Sequence, residues 1–444
     1  MDLKLHLPSG IRNAEIAITG SKSITNRLLL LQALFPGFEI GNSSGSDDSE
    51  VMLKALDGTD DVIDIHHAGT AMRFLTAYFS IQEGREVVLT GSQRMRERPI
   101  AVLVNALRNL GAQIEYLENE GFPPLKISGR KLTSSKVTIK ADVSSQYITA
   151  LLLIAGKLEN GLELTLEGTI TSRPYIEMTL SLLNEIGIET NFQDNKITVS
   201  QATQNPKPET RNFLTVESDW SSASYFYSIT ALSEEGTSIK LSFFKRDSLQ
   251  GDSALVEIYD ALGVSTKFDG DTITLRKENR QPTTINRQLN NTPDIAQTIA
   301  VTCFGLGIGC HLTGLHTLKI KETDRLSALK TELEKLGAEV KITEDSLILE
   351  PNNLFSVSVL RPGSLSFGEG RGEDLSGMSE AHSPLLSRGA GGEVQTYNDH
   401  RMALAFAPLA IKTGIIIKDA GVVSKSYPTF WDDLKTLGFE ITQL

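Results

Sequence analysis

The sequence predicts an α/β protein in which six similar units form two lobes of three. Two observations support this prediction: helices of two kinds alternate along the 444-residue chain, and the glycines that end one kind recur almost regularly. Gly111, Gly187, Gly263 and Gly337 are 76, 76 and 74 residues apart. That interval is long enough for one supersecondary unit with several strands and two helices.

Helices of the first kind are apolar on nearly every side and begin with small polar residues that favour helix caps. The six copies are SKSITNRLLLLQAL from Ser21, GTAMRFLTAYF from Gly69, SSQYITALLLIA from Ser144, SDWSSASYFYSITAL from Ser218, TPDIAQTIAVTCF from Thr292 and NDHRMALAFAPLAI from Asn398. A helix without a polar stripe belongs inside a hydrophobic core. We therefore expect three buried helices in each lobe.

Helices of the second kind are amphipathic and end in a hydrophobic residue followed by glycine, which can adopt the left-handed conformation that closes a helix. In RPIAVLVNALRNLGA, Ile100, Leu103, Leu107 and Leu110 fall on one face. The other copies are RPYIEMTLSLLNEIGI, DSALVEIYDALGV, TDRLSALKTELEKLGA and PTFWDDLKTLGF. Short alternating segments between the helices predict strands, namely AEIAIT, KVTIKA, LELTLEG, DTITLRK and SLILEP.

The last unit is longer than the others, because Gly438 follows Gly337 by 101 residues, about 25 more than the repeat requires. The excess coincides with residues 365–391, which are rich in Gly, Ser, Arg and Glu and have no periodicity. Such a composition buries too little apolar surface to order a segment. We predict an inserted, solvent-exposed loop there, and we expect activity to survive its deletion.

The repeats also predict where the lobes begin and end. We expect residues 21–215 to form the first lobe and residues 1–20 with 216–444 to form the second, with the inserted loop at about 365–391. The chain then crosses between the lobes twice, near residues 20–21 and 215–218. Two crossings predict two hinge strands and a cleft that can close.

Composition excludes several classes of protein. The chain has 43 Lys and Arg against 55 Asp and Glu, a net charge of −12, whereas proteins that bind nucleic acid or anionic membranes have basic surfaces. It has no run of about 20 apolar residues that would cross a bilayer. Cys303 and Cys310 are the only cysteines and lie in an apolar run, so neither a disulfide framework nor a metal site is predicted. Composition therefore predicts a cytoplasmic protein that binds neither nucleic acid nor membranes. We also expect a monomer.

The starts of the buried helices predict an anion site. Their free N–H groups and positive dipole ends would face the cleft, which favours anions before any side chain is counted. Cationic residues occur repeatedly at or near these starts: Lys22, Arg27, Arg73, Arg98, Arg173, Arg325, Arg401 and Lys425. An acidic protein with its cations concentrated at equivalent points of several units is expected to bind a small polyanion.

Fewer carboxylates occupy comparable positions. Asp294 follows Pro293 at a buried-helix start, and Glu322 lies in the segment KETDR. Taken alone, Asp294 is typical of a helix cap, and Glu322 between Lys321 and Arg325 is typical of a surface ion pair. A reaction in an anion-binding cleft needs groups for proton transfer, and these two are the best placed. Asp219 and Asp399 are interpreted as caps, and His400 as a packing residue.

Ten motifs in order give the chain a close resemblance to the 5-enolpyruvylshikimate-3-phosphate synthase family. They are GSKSITNR, AGTAMRF, RMRERPI, VSSQY, SRPYI, SDWSSASY, TPDIAQT, KETDRL, NDHRMALAFA and SKSYPTFW, and they span the chain except the inserted loop. The resemblance implies two lobes, each an inside-out α/β barrel of three βαβαββ units around a pseudo-threefold axis. It also implies transfer of the enolpyruvyl group of phosphoenolpyruvate to the 5-hydroxyl of shikimate 3-phosphate, a step toward chorismate and the aromatic amino acids, without a metal or cofactor.

The resemblance further implies which residues bind each substrate. Shikimate 3-phosphate is expected to contact Lys22, Ser23, Arg27, Ser144, Ser145, Gln146, Ser172, Asp294 and Lys321, with Tyr175 packed nearby. Phosphoenolpyruvate is expected to contact Lys22, Gly69, Arg98, Gln146, Arg325, Arg401 and Lys425. The planar fork of arginine pairs with both the phosphate and the carboxylate of this substrate.

By the same analogy, Asp294 is the base at the 5-hydroxyl and Glu322 the acid at the methylene carbon, and Lys22 also belongs to the catalytic set. The sequence does not decide which proton Glu322 or Lys22 transfers. We expect nearby cations to keep Asp294 ionised and desolvation on lobe closure to favour protonated Glu322.

The chain departs from the family pattern at a few positions. His67 occupies the place of an Asn, Arg173 that of a Lys, and Thr317 stands where some members have an Asn that contacts substrate, so Thr317 is left out of the site. UDP-N-acetylglucosamine enolpyruvyl transferases share the fold, but they have a Lys-Asn pair and a reactive Cys in the first lobe, which this chain lacks. The second alternative is a non-catalytic polyanion-binding protein of the same fold.

Overall fold

The computed structural model describes residues 1–142, 144–202, 213–355 and 392–444. The inserted loop predicted at about 365–391 lies outside this part of the chain, so its prediction stays untested. No helix in these ranges is both long and apolar enough to span a membrane.

The α-helices of the described residues follow in chain order. They are α1 Lys22–Leu34, α2 Asp47–Asp57, α3 Gly69–Ser80, α4 Gln93–Arg96, α5 Ala101–Leu110, α6 Ser145–Ala155, α7 Arg173–Glu185, α8 Trp220–Leu232, α9 Leu255–Asp260, α10 Ala296–Leu306, α11 Arg325–Lys335, α12 His400–Phe406 and α13 Phe430–Thr436. Short 3₁₀ turns occupy Gly251–Ala254, Pro293–Ile295, His316–Ile320, Ala407–Ile411 and Ala420–Lys425.

The strands of the described residues are all three to six residues long. They are β1 Leu3–His6, β2 Ala14–Ile16, β3 Glu39–Gly41, β4 Val62–Asp64, β5 Glu86–Thr90, β6 Gln113–Tyr116, β7 Leu125–Ser128, β8 Lys136–Lys140, β9 Leu162–Glu167, β10 Thr190–Gln193, β11 Lys196–Val199, β12 Phe213–Thr215, β13 Ser238–Ser242, β14 Val264–Asp269, β15 Thr272–Lys277, β16 Ile285–Gln288, β17 Cys310–Thr313, β18 Val340–Ile342, β19 Leu347–Leu349, β20 Gly392–Val394, β21 Ile415–Ile417 and β22 Glu440–Gln443.

One strand pattern recurs in five four-stranded sheets of the described residues. In the sheet β4-β5-β7-β6, β4 pairs parallel with β5, while β5 with β7 and β7 with β6 are antiparallel. A parallel pair needs a crossover connection, and the buried helix α3 supplies it here. The other sheets have the orders β8-β9-β11-β10, β2-β13-β15-β14, β16-β17-β19-β18 and β20-β21-β1-β22, and β3 pairs with β12 alone. These five sheets confirm the repeated unit of two helices and several strands that the glycine spacing predicts, and the βαβαββ order that the family resemblance implies.

The N-terminal strands pair with elements from the end of the sequence. β1 lies between β21 and β22, and β2 pairs with β13, all of them elements that follow residue 216. β12 joins β3 in the other half of the molecule. Gly20 and Ser218 form an antiparallel bridge where the two crossing segments run side by side.

Each of the two lobes has its own hydrophobic core. One consists of residues between Ile24 and Val216, and the other combines residues 3–18 with residues 220–439. The predicted core helices α1, α3, α6, α8, α10 and α12 are buried over most of their length. These helices bury nearly every side because each is enclosed by its own lobe, as their uniformly apolar sequences predict.

The surface helices end as predicted. Gly111, Gly187, Gly263, Gly337 and Gly438 all have φ between +83° and +109°, the left-handed region that glycine enters without steric cost. In α5, Ile100, Leu103, Leu107 and Leu110 lie on one buried face.

The expected caps form at only some buried helices. The side chains of Ser144, Asp219 and Asp399 each accept a bond from a backbone N–H in the first turn of their helix. Ser21 at α1 and Ala68 at α3 make no such bond. Uncapped first turns leave N–H groups available to an anion, and both of these turns face the space between the lobes.

Candidate active site

A central cavity between the lobes collects most of the predicted site residues. Those that line it are Lys22, Ser23, Arg27, Arg98, Ser144, Ser145, Gln146, Ser172, Asp294, Lys321 and Arg401, together with Tyr175. The first lobe supplies the serines and two of the arginines, and the second lobe supplies Asp294, Lys321 and Arg401. The cavity therefore exists only because the two lobes face one another.

The remaining predicted residues, Gly69, Glu322, Arg325 and Lys425, lie directly behind its wall. Glu322 borders a smaller side cavity, whose lining residues are His67, Arg94, Met95, Arg98, Glu322, Tyr397 and Asn398. Arg98 belongs to both cavities. A Cβ atom added to Gly69 would lie 2.5 Å from Arg98 Nη1, so glycine is what lets this guanidinium pack on the first turn of α3.

Asp294 is the carboxylate that faces the central cavity. Its Oδ1 is 2.9 Å from Arg325 Nη1 and 3.4 Å from Lys321 Nζ, and its Oδ2 is 3.3 Å from Arg401 Nη2. The 3₁₀ turn Pro293–Ile295 at the start of α10 presents it. Three cations thus surround one carboxylate that remains accessible from the cavity.

Arg325 lies beneath Asp294 and is the most buried cation of the site, with 2% of its side chain exposed. Its Nε is 2.6 Å from Asp399 Oδ2, and its Nη2 is 2.8 Å from Glu322 Oε2. Three carboxylates converge on one guanidinium, which matches the five donors of arginine. A buried charge of this kind is stable only with such partners.

Glu322 completes the network toward the side cavity. Its second oxygen, Oε1, accepts a 2.8 Å bond from Lys425 Nζ. Glu322 therefore lies between two cations, Arg325 and Lys425, and near a third, Arg98. The surface ion pair that was one interpretation of this residue is excluded, because the side chain is mostly buried.

The charges of the network set the pKa values of its carboxylates. Burial on its own raises the pKa of Asp294, but the charges of Arg401, Lys321 and Arg325 outweigh burial and lower that pKa far below its ordinary value. Asp294 is ionised at neutral pH, as the sequence predicts. Glu322 behaves in the same way, because Lys425, Arg325 and Arg98 outweigh burial and hold its pKa well below the ordinary range. The expectation of a protonated Glu322 is wrong for this state of the protein, because desolvation, although the largest single effect on this pKa, is outweighed by the three cations together.

Lys22 begins α1 and has a partner that the sequence analysis did not identify. Its Nζ is 3.2 Å from Oδ2 of Asp48, a buried residue of the first turn of α2. Packing of α1 against α2 produces this pair. The pair holds the ammonium group at the cavity wall.

Arg27 lies one turn further along α1 and is almost fully buried. Its guanidinium donates to Thr179 Oγ1 at 2.9 Å, to the Ser23 carbonyl at 2.7 Å and to the Tyr175 carbonyl at 3.3 Å. Burial lowers the pKa of Arg27 to about 10. With these bonds, Arg27 fixes Ser23 and Tyr175 in addition to lining the cavity.

Arg98 differs from the other arginines of the site. No carboxylate of the described chain lies within 4.0 Å of it, and its buried Nε has no hydrogen-bond partner there. Burial, followed by repulsion from Arg73, lowers the pKa of Arg98 to about 10. A guanidinium with an unpaired, buried donor is suited to bind an anion.

The polar wall of the first lobe comes from the starts of α6 and α7. Ser144 caps α6 through the N–H of Gln146, whose side chain donates to Thr70 Oγ1 at 3.3 Å. Ser172 precedes α7 with φ of +54°, a conformation that non-glycine residues seldom adopt. Its N–H donates to the Asn290 carbonyl of the second lobe at 3.2 Å, so this backbone is held from both sides of the cleft.

One expectation from the sequence is wrong, and one residue that was left out of the site lines the cavity. Arg173, placed among the cleft cations, instead pairs with Glu177 at 2.7 Å and stacks on Phe192 at the surface, because it lies on the outer side of the α7 start. Thr317, which was left out of the site, lines the central cavity, and its buried Oγ1 has no partner among the described residues.

The sequence analysis also underestimated one acidic residue. Asp399 caps α12 as predicted, its Oδ1 accepting from the Arg401 N–H at 2.9 Å, but it also pairs with Arg325. The only available signal was its place in the motif NDHR, since 74 residues separate it from Arg325. Thr70, Ser221 and Tyr225 also line the cavity; they lie in the motifs AGTAMRF and SDWSSASY, but the sequence analysis gave them no role.

The histidines next to the network are neutral. His400 is buried, and neither ring nitrogen has a hydrogen-bond partner in the described chain, although Nδ1 is 3.8 Å from Asp399 Oδ1. Burial lowers the pKa of His400 well below the ordinary value. His67 contacts Ser92 Oγ through Nδ1 at 2.9 Å, and burial, followed by repulsion from Lys425, lowers its pKa. Within residues 1–142, 144–202, 213–355 and 392–444, no group of three or more His, Cys, Asp or Glu residues could hold a metal ion.

Sequence comparisons agree with this geometry. The family model of EPSP synthase (3-phosphoshikimate 1-carboxyvinyltransferase) matches residues 56–434. A 3-phosphoshikimate 1-carboxyvinyltransferase from Bacteroides fragilis is 46% identical over 440 residues, which cover 98% of each chain. One from Mannheimia haemolytica is 35% identical, with 95% of this chain and 96% of that one covered.

Solved structures share the fold over the full length. An EPSP synthase from Acinetobacter baumannii superposes with a TM-score of 0.74 at 22% identity, and all of both chains is covered. The enolpyruvyl transferase NikO from Streptomyces tendae gives a TM-score of 0.68 at 13% identity, with 99% and 98% covered. At these identities the likeness establishes the two-lobed α/β fold. Together with the family match and the relatives aligned along nearly the whole chain, it shows that this chain belongs to the EPSP synthase (3-phosphoshikimate 1-carboxyvinyltransferase) family.

Proposed function

We propose that the central cavity is the active site of this chain and that the residues assigned below carry the reaction. As an enzyme of its family, the chain transfers the enolpyruvyl group of phosphoenolpyruvate to shikimate 3-phosphate in the shikimate pathway. The proposal concerns where on this chain the transfer takes place and by which groups.

One observation carries the placement: an ionised carboxylate stands among cations in a cavity that both lobes enclose. Asp294 faces this cavity, and Lys321 and Arg401 lie beside its oxygens. Arg98 lines the same cavity from the first lobe and is not paired with a carboxylate of the described chain. Both substrates are polyanions, which require cations, and the transfer requires a base that stays ionised. The cavity supplies all of these at once.

Phosphoenolpyruvate is assigned to the arginine-rich side. Its phosphate and carboxylate would be held by Lys22, Gly69, Arg98, Gln146, Arg325, Arg401 and Lys425. Arg98 and Arg401 line the cavity directly, and the vacant donors of Arg98 fit a phosphate oxygen. Arg325 and Lys425 act from behind the wall, because both are bonded to Glu322. Gly69 contributes by leaving room for the Arg98 guanidinium.

Shikimate 3-phosphate is assigned to the hydroxyl-rich side. Its contacts would be Lys22, Ser23, Arg27, Ser144, Ser145, Gln146, Ser172, Asp294 and Lys321, with Tyr175 packed against them. Serine hydroxyls and the uncapped first turn of α1 can donate to the 3-phosphate. Asp294 and Lys321, from the second lobe, would then meet the ring hydroxyls.

In the first step, the oxygen of the substrate 5-hydroxyl forms a bond to C2 of phosphoenolpyruvate. The hydroxyl proton passes to the Asp294 carboxylate, and the methylene carbon receives a proton and becomes a methyl group. Glu322 is assigned as the donor of that proton. The product of the step is a tetrahedral intermediate that still carries the phosphate.

Glu322 must bind a proton before it can donate one. Its pKa is low while Lys425, Arg325 and Arg98 have no other anion to neutralise them. A bound phosphoenolpyruvate brings negative charge to the same cations, so it raises the pKa of Glu322 toward and above its ordinary value. We infer that binding of phosphoenolpyruvate causes Glu322 to take up the proton that it later donates.

In the second step, the methyl group returns its proton to the Glu322 carboxylate and the bond between C2 and the phosphate oxygen breaks. The electron pair of that bond leaves on the phosphate oxygen, which takes the proton held by Asp294 and departs as the hydrogen phosphate dianion, and the double bond reforms between C2 and the terminal carbon. Arg98 and Arg401 would stabilise the departing dianion. Lys22 is kept in the catalytic set because its ammonium group, held by Asp48, borders the cavity where both steps occur.

One chain supplies every residue assigned above. We therefore propose a monomer, with lobes formed by residues 21–215 and by residues 1–20 with 216–444, that acts in the cytoplasm. Light scattering coupled to size-exclusion chromatography checks the first point. A mass of two chains at micromolar concentration would contradict it.

Phosphate release on mixing the purified chain with shikimate 3-phosphate and phosphoenolpyruvate tests the function. We expect steady release that requires both substrates, and Asp294→Ala and Glu322→Ala are expected to lower kcat at least about 100-fold, the usual contribution of a proton-transfer group. Their affinities for shikimate 3-phosphate, measured by calorimetry, should change far less. Asp324→Asn is the matched control, since Asp324 caps α11 beside Glu322 and, among the residues that the structure describes, its side chain bonds only to Ser327.

The same assay separates the alternatives. Binding of shikimate 3-phosphate without any phosphate release would support a non-catalytic polyanion-binding protein. Full turnover in both Ala variants would contradict the assignment of Asp294 and Glu322 and leave the family activity intact.

A further inference from the structure

Arg94 bridges the two lobes at a point next to the catalytic network. It belongs to α4, a single turn of the first lobe. Its Nε donates to the Glu322 carbonyl at 3.2 Å, and its Nη2 donates to the Lys321 carbonyl at 3.2 Å. One planar guanidinium thus holds two consecutive peptide groups of the second lobe.

The two carbonyls are available because of the local backbone. Residues 321–324 connect the 3₁₀ turn His316–Ile320 to α11 and form neither helix nor strand. In the part of the chain that the structure describes, no backbone N–H donates to the carbonyl of Lys321 or of Glu322. The fork of arginine is the side chain whose donors best span two adjacent acceptors.

The side chains of the two gripped residues point into the site. Lys321 reaches Asp294, and Glu322 reaches Arg325 and Lys425. Fixing two successive carbonyls restricts rotation of the peptide planes from which both side chains project. The two hydrogen bonds from Arg94 therefore determine the direction in which the side chain of Glu322, the proposed acid, points.

Arg94 is itself anchored within the first lobe. Its Nη1 is 3.4 Å from Glu97 Oε2, and its neighbour Met95 is buried in the first-lobe core. Ser92 caps the turn through the Met95 N–H and contacts His67. A short turn held in this way carries the guanidinium as a rigid part of its lobe.

We propose that Arg94 is a positioning residue that couples closure of the lobes to the alignment of Glu322 and Lys321. The bonds join different lobes, so they form only when the lobes are in contact and are lost when the cleft opens. Glu322 is then correctly aimed only in the closed protein, where water is excluded from the intermediate. This inference rests on the function proposed above and adds a residue that acts through Glu322 without touching the substrates.

The chain offers a close control on the same helical turn. Arg96 is exposed to a similar degree, 39% against 42% for Arg94. It bonds to the Gly91 carbonyl and to Glu118, both in the first lobe. Arg94→Ala and Arg96→Ala remove the same group from the same turn, but only the first removes a contact between lobes.

The test measures phosphate release and compaction of the full-length chain. We expect Arg94→Ala to lower kcat about tenfold, equivalent to about 1.4 kcal/mol in the barrier, and Arg96→Ala to stay within about twofold of wild type. Arg94→Lys should recover part of the loss, since one ammonium group cannot span both carbonyls equally. In small-angle X-ray scattering, adding the equilibrium mixture of substrates and products should reduce the radius of gyration of the Arg94→Ala variant less than that of the wild type or of the Arg96→Ala variant.

Each alternative outcome has a definite meaning. Equal kcat and equal compaction in the two Ala variants would overturn the proposal. A loss of kcat in Arg94→Ala that is accompanied by a large fall in its unfolding temperature, with normal compaction, would show a structural role and overturn it too. Absence of phosphate release from wild type would instead contradict the proposed function.

Discussion

Asp399→Asn tests whether the buried ion pairs are what places the site arginines. Asp399 is fully buried, with Oδ2 2.6 Å from Arg325 Nε and Oδ1 2.9 Å from the Arg401 backbone N–H. The substitution removes one negative charge and preserves the shape of the side chain. Asparagine is also as good a helix cap as aspartate, so α12 keeps its first turn.

The expected cost follows from the balance of charges. Four cations and three carboxylates form the network of the second lobe: Lys321, Arg325, Arg401 and Lys425 with Asp294, Glu322 and Asp399. Breaking a buried pair usually costs about 3–5 kcal/mol, and we expect the lower end because Arg325 keeps two carboxylates. At about 2–4 °C per kcal/mol for a unit of roughly 200 residues, unfolding of the second lobe should move down by about 6–12 °C.

Differential scanning calorimetry and steady-state kinetics measure the two consequences. The substitution leaves a donor of Arg325 without its carboxylate partner. We expect it to lower kcat/KM for phosphoenolpyruvate about tenfold, as for the loss of one charge-assisted hydrogen bond. Asp219→Asn is the stability control, because Asp219 caps the buried helix α8 and has no arginine or lysine within 4.0 Å in the described chain. It should lower the unfolding temperature by no more than about 4 °C, the effect of a charge at a helix N-terminus.

Equal shifts in the two Asn variants would refute the reasoning. They would mean that the charge of Asp399 contributes only as a cap and that Asp294 and Glu322 suffice to hold Arg325. A more stable Asp399→Asn variant would go further and show that desolvation of the Asp399 carboxylate costs more than its pairing with Arg325 contributes.

Three further predictions concern single residues around the site. Gly69→Ala should push the Arg98 guanidinium away, because the added Cβ would lie 2.5 Å from Nη1. We expect a higher KM for phosphoenolpyruvate and little change in the KM for shikimate 3-phosphate. Equal changes in both KM values would contradict this prediction. His67→Asn should keep kcat/KM within about threefold at pH 7.5, because the lowered pKa leaves His67 neutral and an amide can replace its bond to Ser92. Because the pKa of His400 is lowered, only the unfolded chain binds a proton at this residue just below pH 6.5. The free energy of unfolding should therefore decrease as the pH is lowered, by up to about 1.4 kcal/mol per pH unit. Urea titrations of His400→Leu between pH 7 and pH 5 should show a smaller slope.

Local patterns in the sequence predicted the repeated architecture. The terminal glycines, the amphipathic face of α5 and the all-apolar core helices each depend on residues within about one or two turns of one another. Gly111, for example, has the left-handed φ that a helix-ending glycine was expected to have. Such features are legible because short-range sterics and burial determine them before the lobes meet.

The candidate site was predictable only in part. Motif resemblance placed most of its residues, and the central cavity does collect Lys22, Arg98, Asp294, Lys321 and Arg401. Thr317 was left out because some family members have an Asn at its position, and the pattern of cations at helix starts assigned Arg173 to the cleft although it pairs with Glu177 outside. The direction in which a helix-start side chain points depends on how the helix packs, which a motif does not state.

The sequence by itself therefore determined the kind of unit, the number of units and the family chemistry of this protein. The tertiary structure decided which charges meet: Asp48 with Lys22, Asp399 with Arg325, and Arg94 with the carbonyl of Glu322, across 26, 74 and 228 residues. Electrostatic energy depends on distances of a few ångströms between groups far apart in the chain. The low pKa of Glu322 is a property of that packing, and no pattern along the chain contains it.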